Sequence, residues 1–346
     1  MPPDHQRVAT LTDRTYVEGV YSIVNPQLAQ TRTNKPYLKC MIRDASGEIT
    51  ARAWSFEEAQ FEAINQCGFV FLRGSTQAYQ GQVQLIIEQI EAREVTAEEM
   101  LALLPSTNKD IAEMFGRVTE LLRSMQHPAM RALAEQYLSD ERLMEDLRRA
   151  PAAMSVHHAW IGGLLEHTHQ LMELADRMLP LYPALNRDLV LFSLFAHDIG
   201  KTVELSWEQG FNYTTEGQLI GHVVRGAIWL QIKAAASARA TNEKLPGETL
   251  RVLQHIMVSH HGQLEFGAAK LPATPEAMFV AMLDNLDAKT QASVTAAKRE
   301  FAGGGDWSDK VWALETKIYR PDPLVELGPL SGRRAVRSRF DAILIF

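Results

Sequence analysis

The sequence predicts a multidomain α and β chain in which a small five-stranded β-barrel precedes an all-helical domain. Three observations predict it. The chain has 346 residues, more than a single hydrophobic core usually organises. Up to about Ile90 its apolar residues alternate in short β-rich runs, and from Thr96 onward they recur at three- and four-residue spacing. With 46% hydrophobic and 22% charged residues, the composition is that of a folded globular protein rather than a disordered or fibrous one. The expected boundaries are a barrel over 1–95, a linker helix over 96–110, a helical domain over 111–320 and a tail over 321–346.

In chain order, the runs Thr15–Tyr21, Pro36–Ile42 and Ile49–Trp54 read as strands. Asp44-Ala45-Ser46-Gly47 joins the last two as a hairpin turn, because Asp, Ser and Gly favour tight reversal. A short helix is expected from Ser55 to Asn65, with Ser55 as its N-cap and Glu58 three residues on. Two more strands, Phe69–Arg73 and Val83–Ile87, flank a turn at Tyr79-Gln80-Gly81-Gln82 and complete the barrel. Thr96–Pro105 reads as the connecting helix and Pro105-Ser106-Thr107-Asn108 as the start of the next one. Helices are then expected over Ala129–Leu138, Trp160–Leu179, Asp188–Ile199, Glu248–His260 and Glu276–Arg299. The tail carries a basic cluster, Arg333, Arg334, Arg337 and Arg339.

Charge and cysteine content narrow the function classes. Net charge is −7, from 35 basic and 42 acidic residues, so any nucleic-acid site must be local rather than a global positive field. Cys40 and Cys67 are too few for a disulfide framework. No apolar run approaches the roughly 20 residues that cross a bilayer; even Leu189–Ala196, apolar but for Ser193, is far shorter. No membrane partner and a cytoplasmic location are therefore expected.

The histidines are unevenly placed: His157, His158, His167, His169, His197, His222, His255, His260 and His261 all fall in the helical region. In Ala196-His197-Asp198-Ile199-Gly200-Lys201 an apolar helix ends in adjacent imidazole and carboxylate, followed by a glycine expected to take the left-handed stop. His167 shares its helical phase with Leu164 and Leu171, so it points inward. His222, the pair His260-His261 and Asp284 complete a set drawn from separate helices. A lone buried histidine is more often a hydrogen-bonded core residue than a ligand, but convergent imidazoles and carboxylates without thiolate suit Mn, Fe, Zn, Co or Mg.

The order His, His-Asp, His, His-His, Asp resembles the signature of the HD superfamily of metal-dependent phosphohydrolases. Gly162-Gly163-Leu164-Leu165-Glu166-His167-Thr168, His197-Asp198-Ile199-Gly200-Lys201, Gly217–His222, Ser259-His260-His261-Gly262 and Asp284–Lys289 stand behind the barrel. Together they resemble the YhaM-type 3′→5′ exoribonucleases, over roughly Thr15 to Pro321. The resemblance implies an oligonucleotide-binding (OB) barrel and two divalent metal ions, with manganese foremost. It implies one metal on His167, His197, Asp198 and Asp284, and a second on Asp198, His222, His260 and His261, with Asp198 bridging. Two such ions activate water for phosphodiester hydrolysis.

Beside these ligands, Lys201 is placed either to neutralise a phosphate oxygen or to stand solvated at a helix end. His157 and His158 either contact the substrate phosphate or protonate the leaving group, or they cap the ligand helix. Asp287 lies one turn beyond Asp284, to support a ligand or touch the terminal ribose. In the barrel, strand alternation puts Tyr37 and Lys39 on the exposed face, and Arg52 and Trp54 together on one face of the next strand. Stacking aromatics beside cations is how such barrels hold single strands. The expected function is a metal-dependent 3′→5′ exonuclease of single-stranded RNA, and DNA, releasing nucleoside 5′-monophosphates. The alternatives are a phosphohydrolase of nucleotides or cyclic dinucleotides, and a nucleic-acid-binding regulator with a structural HD domain. Assembly as a homo-oligomer is compatible with each.

Overall fold

A computed structural model describes residues 5–31, 33–54, 56–79, 82–154, 158–207, 211–298 and 306–324. Five strands close into a barrel in the order β1-β2-β3-β5-β4. β1 (Tyr16–Gln30) runs antiparallel to both β2 (Pro36–Asp44) and β4 (Phe69–Tyr79). β2 forms a hairpin with β3 (Gly47–Ala53), and β5 (Gln82–Ala92) closes the ring, antiparallel to β4 and parallel to β3. A helix, α1 (Phe61–Cys67), lies between β3 and β4 in sequence. This is the expected OB-type barrel.

The alternation in the sequence becomes an inside and an outside. Leu38, Cys40 and Ile42 are buried, with Val17, Tyr21, Ala51, Leu72 and Leu85, whereas Lys39 faces water. Each fully buried aliphatic side chain stabilises the barrel by about 1.5–3 kcal/mol relative to exposure. The predicted turn is fixed by Asp44, whose Oδ1 accepts from Ser46 N at 2.8 Å and Gly47 N at 3.2 Å. Its Oδ2 accepts from Val8 N at 2.9 Å and lies 2.8 Å from His5 Nε2, tying the N-terminal segment to the hairpin.

Two local features escape simple alternation. β1 continues far beyond Tyr21, through Pro26, because the register shifts between Val24 and Gln27 and Asn25 takes φ +50°. A bulge of this kind accommodates a proline that cannot donate to the ladder. At Gly74 a Cβ would collide with the carbonyl oxygen of Ile86, and the β4–β5 register shifts between Arg73 and Gly74. The expected helix start at Ser55 lies outside the described residues, as does the Gln80-Gly81 turn; α1 begins only at Phe61, after a 3₁₀ turn over Glu58–Gln60.

α2 (Ala97–Leu103) is opened by a capping box between Thr96 and Glu99. The next helix starts later than Thr107: α3 (Ile111–Arg123) is capped by Asp110, which accepts from Ala112 N and Glu113 N. Thr107 Oγ1 instead donates to Glu166, at 2.7 Å.

A compact helical unit spans Ser106–Trp207 and Phe211–Ala288. After α3 come α4 (Pro128–Leu138), α5 (Glu141–Arg149), α6 (Gly163–Met178), α7 (Arg187–Ala196) and the single turn α8 (Lys201–Glu204). A two-residue pairing follows between β6 (Leu205–Ser206) and β7 (Asn212–Tyr213), small strands that the helical periodicity did not announce. α9 (Thr215–Leu219), α10 (Gly221–Thr241), α11 (Gly247–Ser259) and α12 (Pro275–Lys298) complete the helices. α7 is buried almost throughout, including Val190, Leu191, Phe192, Leu194 and Phe195, and packs against α6, α3, α4 and α11. The central, nearly apolar α7 is therefore the rigid element at whose end the His-Asp pair sits. Beyond α12, β8 (Trp307–Val311) and β9 (Thr316–Tyr319) form an antiparallel hairpin. The basic cluster of the tail lies outside the described residues. No helix among the described residues is long and apolar enough to cross a membrane.

Candidate metal centre

Side chains from separate helices converge at the buried end of α7. Asn186 caps the start of α7 by accepting from Leu189 N, and the helix closes with His197 N donating to Ser193 O at 2.8 Å. Gly200 was expected to take a left-handed stop, but its φ is −64° and the chain stays helical into α8. The glycine serves close approach instead, since a Cβ there would collide with the backbone of His222 at the start of α10.

The imidazoles are held from behind. His197 Nδ1 donates to Leu194 O at 2.8 Å, and His260 Nδ1 to Met257 O at 2.7 Å. A carbonyl can only accept, so these rings carry their proton on Nδ1 and present Nε2 as a base. His167 Nδ1 lies 2.7 Å from Asp287 Oδ2, and His222 Nδ1 lies 2.8 Å from Glu204 Oε2. Such carboxylate–imidazole pairs fix ring orientation and raise ligand basicity. Asp287 is buried; its Oδ1 accepts from Gln170 at 2.7 Å, and its Oδ2 lies 3.0 Å from His158 Nε2.

The Nε2 atoms then face one another and the carboxylates. His167 Nε2 lies 3.3 Å from His197 Nε2 and 3.3 Å from Asp284 Oδ1. His222 Nε2 lies 3.2 Å from His261 Nε2 and 3.3 Å from Asp198 Oδ1. Asp198 stands between these groups. Its Oδ1 faces His222 and His260, and its Oδ2 is 3.4 Å from His197 Nε2 and 2.7 Å from Lys201 Nζ.

Electrostatics point the same way. Burial alone would raise the Asp198 carboxyl, but the Lys201 ammonium and the His197 imidazole outweigh it and hold it well below the usual carboxylate range. Burial likewise opposes ionisation of Asp284, which His167 and His197 overcome, and of Asp287, which His158 and His167 overcome. Glu204 is lowered by His222 against its own burial. Burial would lower His167, yet Asp284 and Asp287 push it up to about 10, so this pocket draws positive charge. Burial and the neighbouring His260 press His261 down to about 4, leaving it neutral and able to donate a lone pair.

The residues fit divalent metal. Among the described residues, buried Asp198 Oδ1, His260 Nε2 and His261 Nδ1 make no hydrogen bond, whereas buried polar atoms normally have partners. Ligand atoms of Asp198, His222, His260 and His261 lie within 4.8 Å of one another, as do those of His167, His197 and Asp284. The structure thus brings all the candidate ligands together in two groups. His158, His167 and Asp287 form a third such group, but there Asp287 is engaged by hydrogen bonds from behind His167.

The remaining candidates divide. Lys201 is not solvated; its side chain is largely buried and paired with Asp198. His158 is fully buried against Asp287, and His157 lies outside the described residues. His169 and His255 stay out of the ligand groups, His255 Nε2 accepting from Ala273 N at 2.9 Å. Asp287 supports His167 and is too buried to meet a ribose. Glu204 and Gln170 escaped sequence reasoning. The usable signal for Glu204 was a carboxylate one turn after Lys201, at a helix end close to the His-Asp pair.

In the barrel, Tyr37 and Trp54 stack with ring centroids 4.8 Å apart. Lys39 and Arg52 are cross-strand partners, and the Arg52 guanidinium bonds the Gln84 side chain. Trp54 and Lys39 are exposed, while Tyr37 and Arg52 are half-buried.

Residues 164–289 match the family described as HD domain. The second OB-fold domain of replication protein A from Methanococcus maripaludis aligns at 12% identity over 27% of this chain and 97% of its own, with a TM-score of 0.20. A 3′-5′ exoribonuclease YhaM of Geobacillus sp. (strain WCH70) is 32% identical over 294 residues, covering 83% of this chain and 86% of that one. The Listeria innocua protein of the same name is 31% identical over 308 residues, 87% of this chain and 94% of its own. That of Bacillus subtilis (strain 168) is 30% identical over 293 residues, 83% and 89% of the two chains. Since the likeness runs through both the barrel and the histidine centre and spans most of each relative, the chain belongs to the YhaM family of 3′-5′ exoribonucleases.

Proposed function

We propose that this chain is a divalent-metal-dependent exonuclease that degrades single-stranded RNA, and DNA, from the 3′ end and releases nucleoside 5′-monophosphates. The observation that carries this is Asp198, a buried carboxylate whose two oxygens face two different groups of imidazoles. His167, His197, Asp198 and Asp284 would hold one ion, and Asp198, His222, His260 and His261 the other. Two ions bound there supply an activated water at neutral pH and stabilise charge on the departing oxygen.

The chain's own residues prepare that chemistry. The backbone carbonyls of Leu194 and Met257 keep the protons of His197 and His260 on Nδ1, and Asp287 and Glu204 orient His167 and His222. Lys201 keeps Asp198 ionised and stands beside the place a phosphodiester must enter, where its ammonium stabilises developing negative charge. His158 acts through Asp287 as a positioning residue. Direction and substrate follow the family, whose named relatives are 3′-5′ exoribonucleases. The Tyr37–Trp54 stack with Lys39 and Arg52 supplies affinity for an unpaired strand.

The test is to incubate the full chain with 5′-labelled single-stranded RNA and Mn²⁺, with and without chelator. Progressive shortening from the 3′ end with release of 5′-monophosphates, stopped by chelator, is expected. Intact RNA in the presence of each candidate metal, or shortening that chelator leaves untouched, overturns the proposal.

A further inference from the structure

The β8–β9 hairpin presents a face that neither the barrel nor the metal centre accounts for. Lys310 and Lys317 are direct cross-strand partners, as are Trp307 and Tyr319, with a register shift between the two pairs; Lys317 and Tyr319, two residues apart on one strand, share a face. The rings of Trp307 and Tyr319 lie 5.2 Å apart, and Lys310 Nζ lies 4.5 Å from the centroid of the Trp312 ring. Trp312 is 79% exposed, the most exposed aromatic side chain among the described residues. Glu315 sits in the turn with φ +56°, outside the paired register.

This arrangement is unfavourable if water alone covers it. Two like charges directly opposite on a ladder destabilise the pair, and an indole so exposed gains nothing from the core. A phosphate between the two ammonium groups removes the first penalty, and a base on the indole removes the second. A protein partner fits less well, because lysine is depleted from protein–protein interfaces, whereas aromatic faces beside cations are the means by which unpaired strands are gripped.

We propose that the hairpin face is a second contact for single-stranded nucleic acid, separate from the Tyr37–Trp54 stack. It takes a phosphate between Lys310 and Lys317 and an unstacked base on Trp312. The inference rests on the chain being a nuclease, and it adds a site to that reading.

The test measures binding of the full chain to fluorescently labelled single-stranded RNA in chelator, which prevents cleavage, across a range of salt concentrations. Trp312→Ala is expected to weaken binding about 5-fold or more, as loss of one base-stacking contact does, and Trp312→Phe to restore most of it. Lys310→Gln with Lys317→Gln is expected to reduce the salt dependence by about 1.4 in log–log slope, two phosphate contacts' worth. These side chains are exposed, so thermal melting should match the unsubstituted protein and separate lost binding from lost fold. Unchanged RNA affinity and salt slope in both variants overturn the site. So does unchanged affinity joined to a shift in sedimentation, which would make the face a contact between copies of this chain. Hydrolysis by the unsubstituted protein is scored in parallel: if it cleaves RNA while the variants bind normally, the hairpin site fails and the nuclease stands.

Discussion

The metal centre and the aromatic face of the barrel handle charge in opposite ways. At the centre, Asp198, Asp287, His167, His197 and His260 are all buried, and the rear nitrogens of these three rings are tied to a carbonyl or a carboxylate. On the barrel, Trp54 and Lys39 are exposed, and the contacts are a ring stack and a cross-strand pair. Burial makes electrostatics strong and errors costly, so the centre needs a second layer of residues to hold the first. Exposure makes each contact weak and tolerant, so the barrel needs only the right residue types on the right face. The lesson is that a buried polar centre is sensitive to the loss of a single atom, whereas an exposed face rests on many small contacts.

The comparison breaks most sharply at Asp198. Asp198→Asn keeps the shape but removes the charge shared by both imidazole groups, and activity on single-stranded RNA should fall by at least about 10³-fold, equivalent to roughly 4 kcal/mol of barrier. Elemental analysis of the purified variant should show less bound metal. Full metal content with full activity would mean that the carboxylate is not shared.

A smaller effect is expected one layer out. Glu204→Ala and Asp287→Ala each release one candidate ligand histidine, His222 and His167, from behind, and metal affinity should drop about 10- to 100-fold. Titration calorimetry with Mn²⁺ reads this directly. If metal affinity matches the unsubstituted chain in both, the rear carboxylates are packing groups and the contrast between the two regions weakens.

On the barrel, Trp54→Ala should weaken binding of single-stranded RNA by about 5- to 150-fold, corresponding to ~1–3 kcal/mol per stacked base. Fluorescence anisotropy in chelator would measure it. An equal loss for double-stranded RNA would show that the stack does not read unpaired bases.

The smallest effect concerns the hairpin turn under the barrel. Burial opposes the charge on Asp44, but bonds from His5, Ser46 and Val8 N outweigh it and hold its pKa below the ordinary value. A group depressed on folding stabilises the native state above its unfolded pKa, and that contribution is lost as pH falls through the folded value. Barrel stability should therefore decline below about pH 4, the ordinary aspartate range. Asp44→Asn should flatten that decline and lower neutral-pH stability by about 1.5–3 kcal/mol. Urea melts at pH 7 and pH 3 test both; an Asn variant with the same acid dependence would place the titration elsewhere.

What could be read before folding had a common basis. Strand alternation put Leu38, Cys40 and Ile42 inside and Lys39 outside, because neighbouring side chains on a strand must point to opposite faces. Helical phase placed His167 inward, and adjacency placed His197 and Asp198 together, because both facts are local and follow from backbone geometry. β1 ran longer than its pattern because one residue at φ +50°, Asn25, resets the register around Pro26, and alternation rules assume an unbroken ladder. Gly200 was misread for a similar reason: a glycine at a helix end suggests a left-handed stop, yet here it is the clearance for His222, contributed by a distant helix.

Residue type and short spacing thus suffice for the two kinds of structure, the candidate ligands and the face of the barrel that meets water. Which atoms of Asp198 face which histidines, which ring nitrogens turn inward, and how Glu204, Gln170 and Asp287 come to stand behind them depend on the packing of distant helices. Those relations join residues more than 100 positions apart, such as His167 and Asp287, separated by 120. No local period encodes such a distance; it is fixed when the helices pack, and hydrogen bonds to carbonyls and carboxylates then orient His167, His197, His222 and His260.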